Sequence, residues 1–328
     1  MRRFIRSALL GTFAVVVLNG CNTQHRVLDV DAKLPRVQTW GTRGAQDREF
    51  IEPRALATSR DATGARGFVY ATDLTGRILQ WTTTGKWVRS WKTPKLPYNQ
   101  PEGPEGICVL PNGNIAFTNT HASNVIIYSA GGKLLRKFGT YGTGRGQFLL
   151  VTGIVADREG FLYTADYGGE FDRISKWTQD GRVVAQWIGH GEGPRQFRRP
   201  CGLAIARKPD GSDGDLLVAD IGNHRLQRLD RKTGAFRGAF GVQGRAAGQF
   251  NYPYGVAVDP RGQIYTVEYG AHRVQKWTRD GKFIATWGKP GHGKNQLANA
   301  RGIAVDNEGN VYVADTKNNR IQKVKFAP

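Results

Sequence analysis

Side chains that could bind a cation recur along the chain at nearly regular intervals. They are Asp73, Asn119, Asp166, Asp220, Glu268 and Asp315, and their successive spacings are 46, 47, 54, 48 and 47 residues. Their oxygen atoms would suit a hard cation such as Ca²⁺. However, a residue that recurs in every unit of a repeat has a simpler structural explanation. We expect it to cap loop amides or to pair with an arginine four to seven residues later, as Asp220 could pair with Arg225.

Nitrogen and sulfur side chains offer another metal chemistry, because a zinc site needs three such ligands that converge. The histidines are dispersed over the sequence: His25, His121, His190, His224, His272 and His292. Cys108 and Cys201 fall in repeat units that are two apart, so we expect buried free thiols rather than a disulfide. We therefore predict no cofactor, with Ca²⁺ or Zn²⁺ as the alternative.

Neither nucleophilic catalysis nor phosphate binding is indicated by the sequence. The glycine-rich runs at residues 142–146 and 189–193 lie between predicted strands rather than before a helix, so they do not match a dinucleotide-binding motif or a P-loop. We accordingly predict no catalytic residue.

The regular spacing comes from a repeated unit of about 47 residues, which is clearest in residues 248–287. There, residues 255–259, 264–268, 273–277 and 283–287 are rich in Val, Ile, Tyr and Trp and are separated by turn signals. Such runs predict four consecutive short strands. The first strand of the unit recurs near Ala55, Gly106, Gly153, Gly202, Gly255 and Gly302, so the unit occurs six times.

The sixth unit has no fourth strand of its own before Pro328, whereas residues 36–41 resemble a fourth strand and precede the first unit. If this N-terminal strand completes the last unit, the units form a closed ring. We therefore predict an all-β fold, a six-bladed β-propeller of four-stranded blades over residues 36–328 that is closed by the N-terminal strand. The fourth-to-first and second-to-third loops would share one face around a central channel. We call it the channel face and expect function there.

The first 20 residues resemble the signal of a bacterial lipoprotein. Arg2, Arg3 and Arg6 precede an apolar run at residues 8–18 that is too short to span a bilayer comfortably, and the sequence LNGC follows at residues 18–21. The resemblance implies a signal peptide over residues 1–20, a lipid on Cys21 and a tether over residues 21–35. It also implies an exported cell-envelope lipoprotein at the periplasmic face, with the outer membrane expected. An ordinary secretory signal is the alternative.

The chain is strongly basic, with 47 Lys and Arg against 27 Asp and Glu and a net charge of +20. Without the three arginines of the signal the charge is 20 − 3 = +17. Such a charge favours anionic partners, although solubility alone could explain it. We expect a monomer that binds a protein or an anionic component of the cell envelope. Because the chain is expected to be exported, nucleic acid is not an expected partner.

Four motifs resemble those of the NHL-repeat family, and related motifs occur in all units. They are GTGRGQF at residues 142–148, GIAVD at 302–306, VYVAD at 311–315 and NNRIQ at 318–322. The resemblance implies a six-bladed β-propeller but leaves the activity open, because propellers host many functions. We expect a binding or scaffold module rather than an enzyme.

Two enzyme families with the same architecture define the alternative function. The amidating lyase of peptide-hormone maturation, which the repeats resemble, holds zinc with histidines that lie just before the first-strand glycine. The equivalent residues here are Arg54, Glu105, Thr152, Cys201, Tyr254 and Arg301. None of them is histidine, so we treat them as a candidate ligand-binding site at the channel mouth.

Lactonases of the gluconolactonase type hold their metal with carboxylates and an amide at the channel mouth. Residues 102–106, EGPEG, resemble the Glu-Gly-Pro entry of that family, and Asn119, Asp166 or Asp220 could supply further ligands. These three belong to the repeated set, whereas Glu105 does not, so Glu105 is the more informative residue. A metal-dependent lactonase-like hydrolase or an amidating-lyase-like enzyme is therefore the alternative to a binding module.

Overall fold

The computed structural model describes residues 37–60, 67–93 and 103–327. The predicted signal peptide, the tether and Cys21 lie outside the described residues. Within the described residues, no helix is long and apolar enough to cross a membrane.

Six four-stranded antiparallel sheets succeed one another along the chain, so the prediction of an all-β, six-bladed propeller is confirmed. Blade 1 consists of Pro53–Arg60, Gly67–Asp73, Arg77–Thr82 and Trp87–Lys92. Blade 2 consists of Pro104–Val109, Ile115–Asn119, Asn124–Tyr128 and Leu134–Phe138. Blade 3 consists of Leu150–Ala156, Leu162–Tyr167, Arg173–Trp177 and Val183–Ile188. Blade 4 consists of Pro200–Arg207, Asp213–Asp220, Arg225–Leu229 and Phe236–Phe240. Blade 5 consists of Pro253–Val258, Ile264–Glu268, Arg273–Trp277 and Phe283–Trp287. Blade 6 consists of Ile303–Val305, Asn310–Asp315, Arg320–Lys325 and the N-terminal strand Gln38–Trp40. Short 3-10 turns follow the second strand in four blades, at Thr120–Ala122, Gly169–Phe171, Ile221–Asn223 and Thr316–Asn318.

The N-terminal strand closes the ring as predicted. Gln38–Trp40 pairs antiparallel with the third strand of blade 6, with Trp40 opposite Ile321. Trp40 also stacks on Trp81 of blade 1, with ring centroids 6.1 Å apart, and lies 5.5 Å from Tyr312 of blade 6. One aromatic side chain thus joins the first and last blades. Hydrophobic clusters fill the spaces between neighbouring blades in the same way around the ring.

Close contact between neighbouring first strands explains the recurrent first-strand glycine. A Cβ atom on Gly153 of blade 3 would collide with the carbonyl oxygen of Cys201 in blade 4, and one on Gly302 of blade 6 would lie 2.7 Å from the carbonyl oxygen of Arg54 in blade 1. Because only glycine tolerates this approach, the first strands draw together around the channel. The residue just before each glycine is thereby held at the channel mouth.

Buried ion pairs fix the loops of the channel face, and they account for the recurrent acids. In blade 3, Asp166 accepts the N–H of Leu150 at 2.7 Å and pairs with Arg173, whose Nη2 donates to the carbonyl oxygen of Gln147 at 2.6 Å. Equivalent pairs are Asp73–Arg77, Asp220–Arg225, Glu268–Arg273 and Asp315–Arg320. Five of the six recurrent side chains thus have the structural role expected from sequence. Blade 2 has Asn119 and Asn124 at these places, as a cross-strand pair.

Candidate functional site

The structure brings together, at the channel mouth, the five residues before the first-strand glycines and Arg54, which precedes Ala55 in blade 1. We call Arg54, Glu105, Thr152, Cys201, Tyr254 and Arg301 the slot ring. All of them except Thr152 line a small cavity of about 60 Å³. Thr152 is buried, and its hydroxyl lies within hydrogen-bond distance of the carbonyl oxygens of Ala165 and Pro200. Their predicted proximity is observed, while their role in ligand binding stays a prediction.

The carboxylate of Glu105 is the centre of this ring. Arg54 Nη1 lies 2.5 Å from Glu105 Oε1, and Arg301 Nη1 lies 3.1 and 3.2 Å from the two carboxylate oxygens. The Tyr254 hydroxyl donates to Oε2 at 3.0 Å. The side chains of Arg54 and Glu105 are each only 11% exposed, so these charge-assisted hydrogen bonds are largely shielded from water. The carboxylate is therefore fully engaged by its neighbours.

Neither the thiol nor the phenol of the slot ring is a ready nucleophile. Burial, followed by the negative charge of Glu105, raises the pKa of the Cys201 thiol to about 12. The same two causes raise the pKa of the Tyr254 hydroxyl well above its usual value. Both groups are therefore protonated at neutral pH, and a protonated thiol is a poor nucleophile.

A larger cavity of about 440 Å³, which we call the cup, opens on the channel face next to the slot ring. Its aromatic and ionisable lining consists of Tyr167, Tyr252, Tyr254, Tyr269, Arg199, Arg301, His121 and Glu105. The Arg301 guanidinium lies 5.1 Å from the ring centre of Tyr254 and 5.5 Å from that of Tyr269. On the other side of the cup, the Arg199 guanidinium lies 5.1 Å from the ring centre of Tyr167. The cup thus combines cationic groups with aromatic faces.

We call the residues two positions before the slot ring the rim; of these, Leu150, Arg199 and Tyr252 line the cup. Four of these rim residues have left-handed backbone: Glu52, Arg199, Tyr252 and Asn299, with φ of 50°, 55°, 54° and 49°. The N–H of each is bound by the residue that ends the second-to-third loop of the preceding blade. These acceptors are Asn319, Asp172, His224 and His272, at 3.0, 3.0, 3.2 and 2.9 Å respectively. The rim is therefore a repeated and preorganised backbone feature.

Sequence reasoning missed the rim residues and the tyrosines of the second-to-third loops as site residues. Strand periodicity did not mark the rim, because Arg199 and Tyr252 lie just before the first strands of blades 4 and 5 and have left-handed backbone. Arg199 and Tyr252 precede Cys201 and Tyr254 by two residues. Neither a repeat position nor a motif marked Tyr167 and Tyr269 as site residues.

Two segments in the C-terminal part of the chain are similar to a known repeat. Residues 250–277 and 297–324 match the NHL repeat. Human NHL repeat-containing protein 3 is 29% identical over 178 residues, which are 50% of this chain and 48% of that protein. The chain therefore spans about half the length of this NHL-repeat relative.

Solved structures with a similar fold include two propeller enzymes. A streptogramin B lyase superposes with a TM-score of 0.59 at 16% identity, over 89% of this chain and 98% of that one. A gluconolactonase from Xanthomonas campestris superposes with a TM-score of 0.59 at 15% identity, over 86% of this chain and 88% of that one. At such identities the likeness shows the fold alone.

The NHL motif at residues 318–322 serves the loop architecture in this structure. Asn318, Arg320 and Gln322 all donate to the carboxylate of Asp315, at 2.9, 2.7 and 3.0 Å. Arg320 and Gln322 also donate to the carbonyl oxygen of Gln296 in the loop before blade 6. The motif thus holds the second-to-third loop and the incoming loop together, which shapes the channel face.

The three histidines of the second-to-third loops, His121, His224 and His272, have different surroundings in the structure. His121 lines the cup. His224 and His272 use Nδ1 to accept the rim N–H groups of Tyr252 and Asn299. Burial lowers the pKa of both imidazoles, and Arg245 further lowers that of His272. Of the described residues, no three His, Cys, Asp or Glu side chains are grouped as metal ligands.

The residues proposed as lactonase-type ligands are also used elsewhere. Asp166 pairs with Arg173, and Asp220 accepts hydrogen bonds from Arg225, Asn223 and Gln227. Asn119 is buried at the end of its strand, and Glu102 lies outside the described residues.

Proposed function

We propose that the protein is a non-catalytic binding propeller that takes part of a protein or of an anionic cell-envelope component into the cup of its channel face. In this proposal the chain is exported, and a lipid on Cys21 holds it at the periplasmic face of a membrane, with the outer membrane expected. The observation that supports the proposal is that both carboxylate oxygens of Glu105 already accept hydrogen bonds from neighbouring side chains. The only carboxylate of the slot ring is bound by two guanidinium groups and one phenol.

The donor set of the slot ring does not fit the metal that the lyase and lactonase resemblances imply. A catalytic zinc site needs about three convergent nitrogen, sulfur or oxygen ligands and an open position. A bound metal ion would have to displace Arg54 and Arg301 from Glu105, and those two guanidinium groups would repel it. The Cys201 thiol would also have to lose a proton against its raised pKa. We therefore derive no step through a metal.

The cup has the properties of a binding site. Its volume of about 440 Å³ lies within the range of roughly 300–1,000 Å³ that is usual for ligand pockets. Its aromatic side chains supply contact area, and the guanidinium of Arg199 supplies a positive charge at the rim. Without the signal peptide, the net charge of 20 − 3 = +17 would also attract an anionic partner from a distance.

Position-specific photocrosslinking in cells tests binding at the cup. A photoreactive phenylalanine analogue such as benzoylphenylalanine would replace Tyr252, which is 46% exposed at the rim. The matched control replaces Tyr141, which is 75% exposed in a loop of the channel face but does not line the cup. We expect crosslinked adducts from position 252 that are absent from position 141. Identical patterns, or no adduct from either position, would contradict the proposal.

Metabolic labelling with palmitate tests the membrane anchor separately. The wild-type chain is expected to incorporate label and to sediment with membranes, whereas Cys21→Ser should do neither. Equal labelling of the two chains would rule out the lipid on Cys21.

A further inference from the structure

Among the rim residues with left-handed backbone, Glu52, Arg199 and Tyr252 are unusual for that position, and ion pairs with Arg54 and Lys317 explain Glu52. A left-handed φ favours glycine or asparagine, and Asn299 follows that preference. Arg199 and Tyr252 occupy equivalent positions with φ of 55° and 54°, although both have long or bulky side chains. Since glycine or asparagine would fit the backbone better, the side chains themselves need an explanation.

Packing within the protein explains the side chain of Tyr252, but it does not explain the side chain of Arg199. The Tyr252 ring packs on His224, with ring centroids 4.6 Å apart, so it is held as a fixed aromatic surface at the rim. The guanidinium of Arg199 contacts the Tyr167 ring, and no salt bridge or hydrogen bond to it is found among the described residues. Asp172, which accepts the Arg199 main-chain N–H, is buried and also contacts His190.

The other arginines of the site form ion pairs with acidic side chains of the protein. Arg301 pairs with Glu105, and Arg54 pairs with both Glu105 and Glu52. Arg199 is thus the cationic group of the cup that is available to an incoming anion, and the ring of Tyr167 behind it orients the guanidinium.

Free hydrogen-bonding groups surround this arginine. Across the part of the chain that the structure describes, the hydroxyls of Tyr167, Tyr252 and Tyr269 and the imidazole of His121 make no hydrogen bond to protein. Such donors and acceptors, interspersed with aromatic faces, suit a ring with several hydroxyl groups better than a purely apolar ring.

We propose that the cup binds a sugar ring that carries a carboxylate or a phosphate, with the anionic group on Arg199 and the ring against the rim tyrosines. The inference rests on the proposed function of the cup, and it adds the chemical class of the ligand. A uronic acid and a sugar phosphate present the same combination of ring, hydroxyls and anion.

Titration calorimetry on the detergent-solubilised full chain tests the inference. The probes are glucuronate, glucose 6-phosphate, neutral glucose and benzoate. The variants are Arg199→Ala and the matched control Arg198→Ala. Arg198 is the neighbouring arginine; it does not line the cup and makes a surface ion pair with Glu192. Thermal unfolding of each variant checks that the fold is retained.

We expect glucuronate or glucose 6-phosphate to bind at least about ten-fold more tightly than glucose, because a hydrogen bond to a charged group contributes that much. Arg199→Ala should remove this preference, and Arg198→Ala should change affinity by less than about two-fold. Whichever anionic sugar binds more tightly identifies the source of the anion.

Three outcomes would overturn the inference. They are equal losses in Arg199→Ala and Arg198→Ala, tighter binding of benzoate than of either anionic sugar, and no binding of any probe. If photocrosslinks at position 252 persist while no sugar binds, the class of ligand is wrong and the binding function stands.

Discussion

Glu105 of blade 2 and Arg301 of blade 6 form an ion pair at the channel mouth, although they are 196 residues apart in the sequence. The pair exists only when the ring is closed, because it joins blades on either side of blade 1. Arg54 of blade 1 and Tyr254 of blade 5 donate to the same carboxylate, so one acidic side chain links four blades.

Loss of the Glu105 charge should destabilise the fold. Glu105→Gln leaves Arg54 and Arg301 without their shared counterion in a site that is largely closed to water. We expect the free energy of unfolding to fall by about 1–3 kcal/mol, measured by urea denaturation. The control Glu192→Gln removes an acid that is 72% exposed and should change stability by less than about 0.5 kcal/mol. Equal effects of the two substitutions would contradict this account.

The close approach of first strands predicts a strong effect of one methyl group. Gly153→Ala would place a Cβ atom against the Cys201 carbonyl oxygen, so the two blades must move apart. We expect a loss of about 1–3 kcal/mol in the free energy of unfolding. Gly131→Ala is the control, because its Cβ would meet only the Ser129 hydroxyl at 3.5 Å. If thermal unfolding shows no difference between these variants, the channel is looser than the structure indicates.

The rim histidines should make stability depend on pH. Burial lowers the pKa of His224 and His272 in the folded state, so below about pH 6.5 the unfolded chain binds more protons than the folded chain. Their contribution is therefore complete above that pH and is lost as the pH falls towards the lower folded-state values.

Asparagine offers a conservative replacement for both histidines, because Asn319 accepts the equivalent rim N–H from Glu52 with Oδ1. We expect the double variant His224→Asn, His272→Asn to match wild type at pH 7.5 and to lose less stability at pH 5. Denaturation curves at the two pH values would measure the difference. Parallel pH dependence in both proteins would show that these imidazoles do not titrate differently on unfolding.

Metal analysis separates the binding proposal from the enzyme alternative. We expect purified wild-type protein to hold no stoichiometric zinc or calcium, and Glu105→Ala to have the same metal content by mass spectrometry. A stoichiometric metal that is lost on this substitution would favour a metal-dependent hydrolase or lyase at the channel mouth.

The repeat made most of the fold predictable from sequence. In blade 5, the strands Ile264–Glu268, Arg273–Trp277 and Phe283–Trp287 have the predicted bounds. The first strand was predicted over residues 255–259 but spans Pro253–Val258. It begins earlier because Pro253 already pairs with Glu268 before an irregularity in the register, which a periodic pattern of apolar residues does not reveal.

The site was only partly predictable. The resemblance to the amidating lyase located the slot ring, because the metal ligands of that family lie just before the first-strand glycine. The ion pair of Glu105 with Arg301 could not be predicted, because it depends on ring closure and on side-chain reach rather than on local pattern. The rim residues Arg199 and Tyr252 were missed as a site because their left-handed backbone is imposed by the hydrogen bond from each rim N–H to the preceding blade.

The order of synthesis decides when the strand Gln38–Trp40 can close the ring. The strand that completes blade 6 is made first, and its partner Arg320–Lys325 is made last. The ring cannot close until nearly the whole propeller has been made, so until then the N-terminal strand lacks its partner and leaves a sheet edge that could pair with other chains. If the chain crosses a membrane during export, as we propose, this edge would be protected only after almost all of the propeller had been translocated.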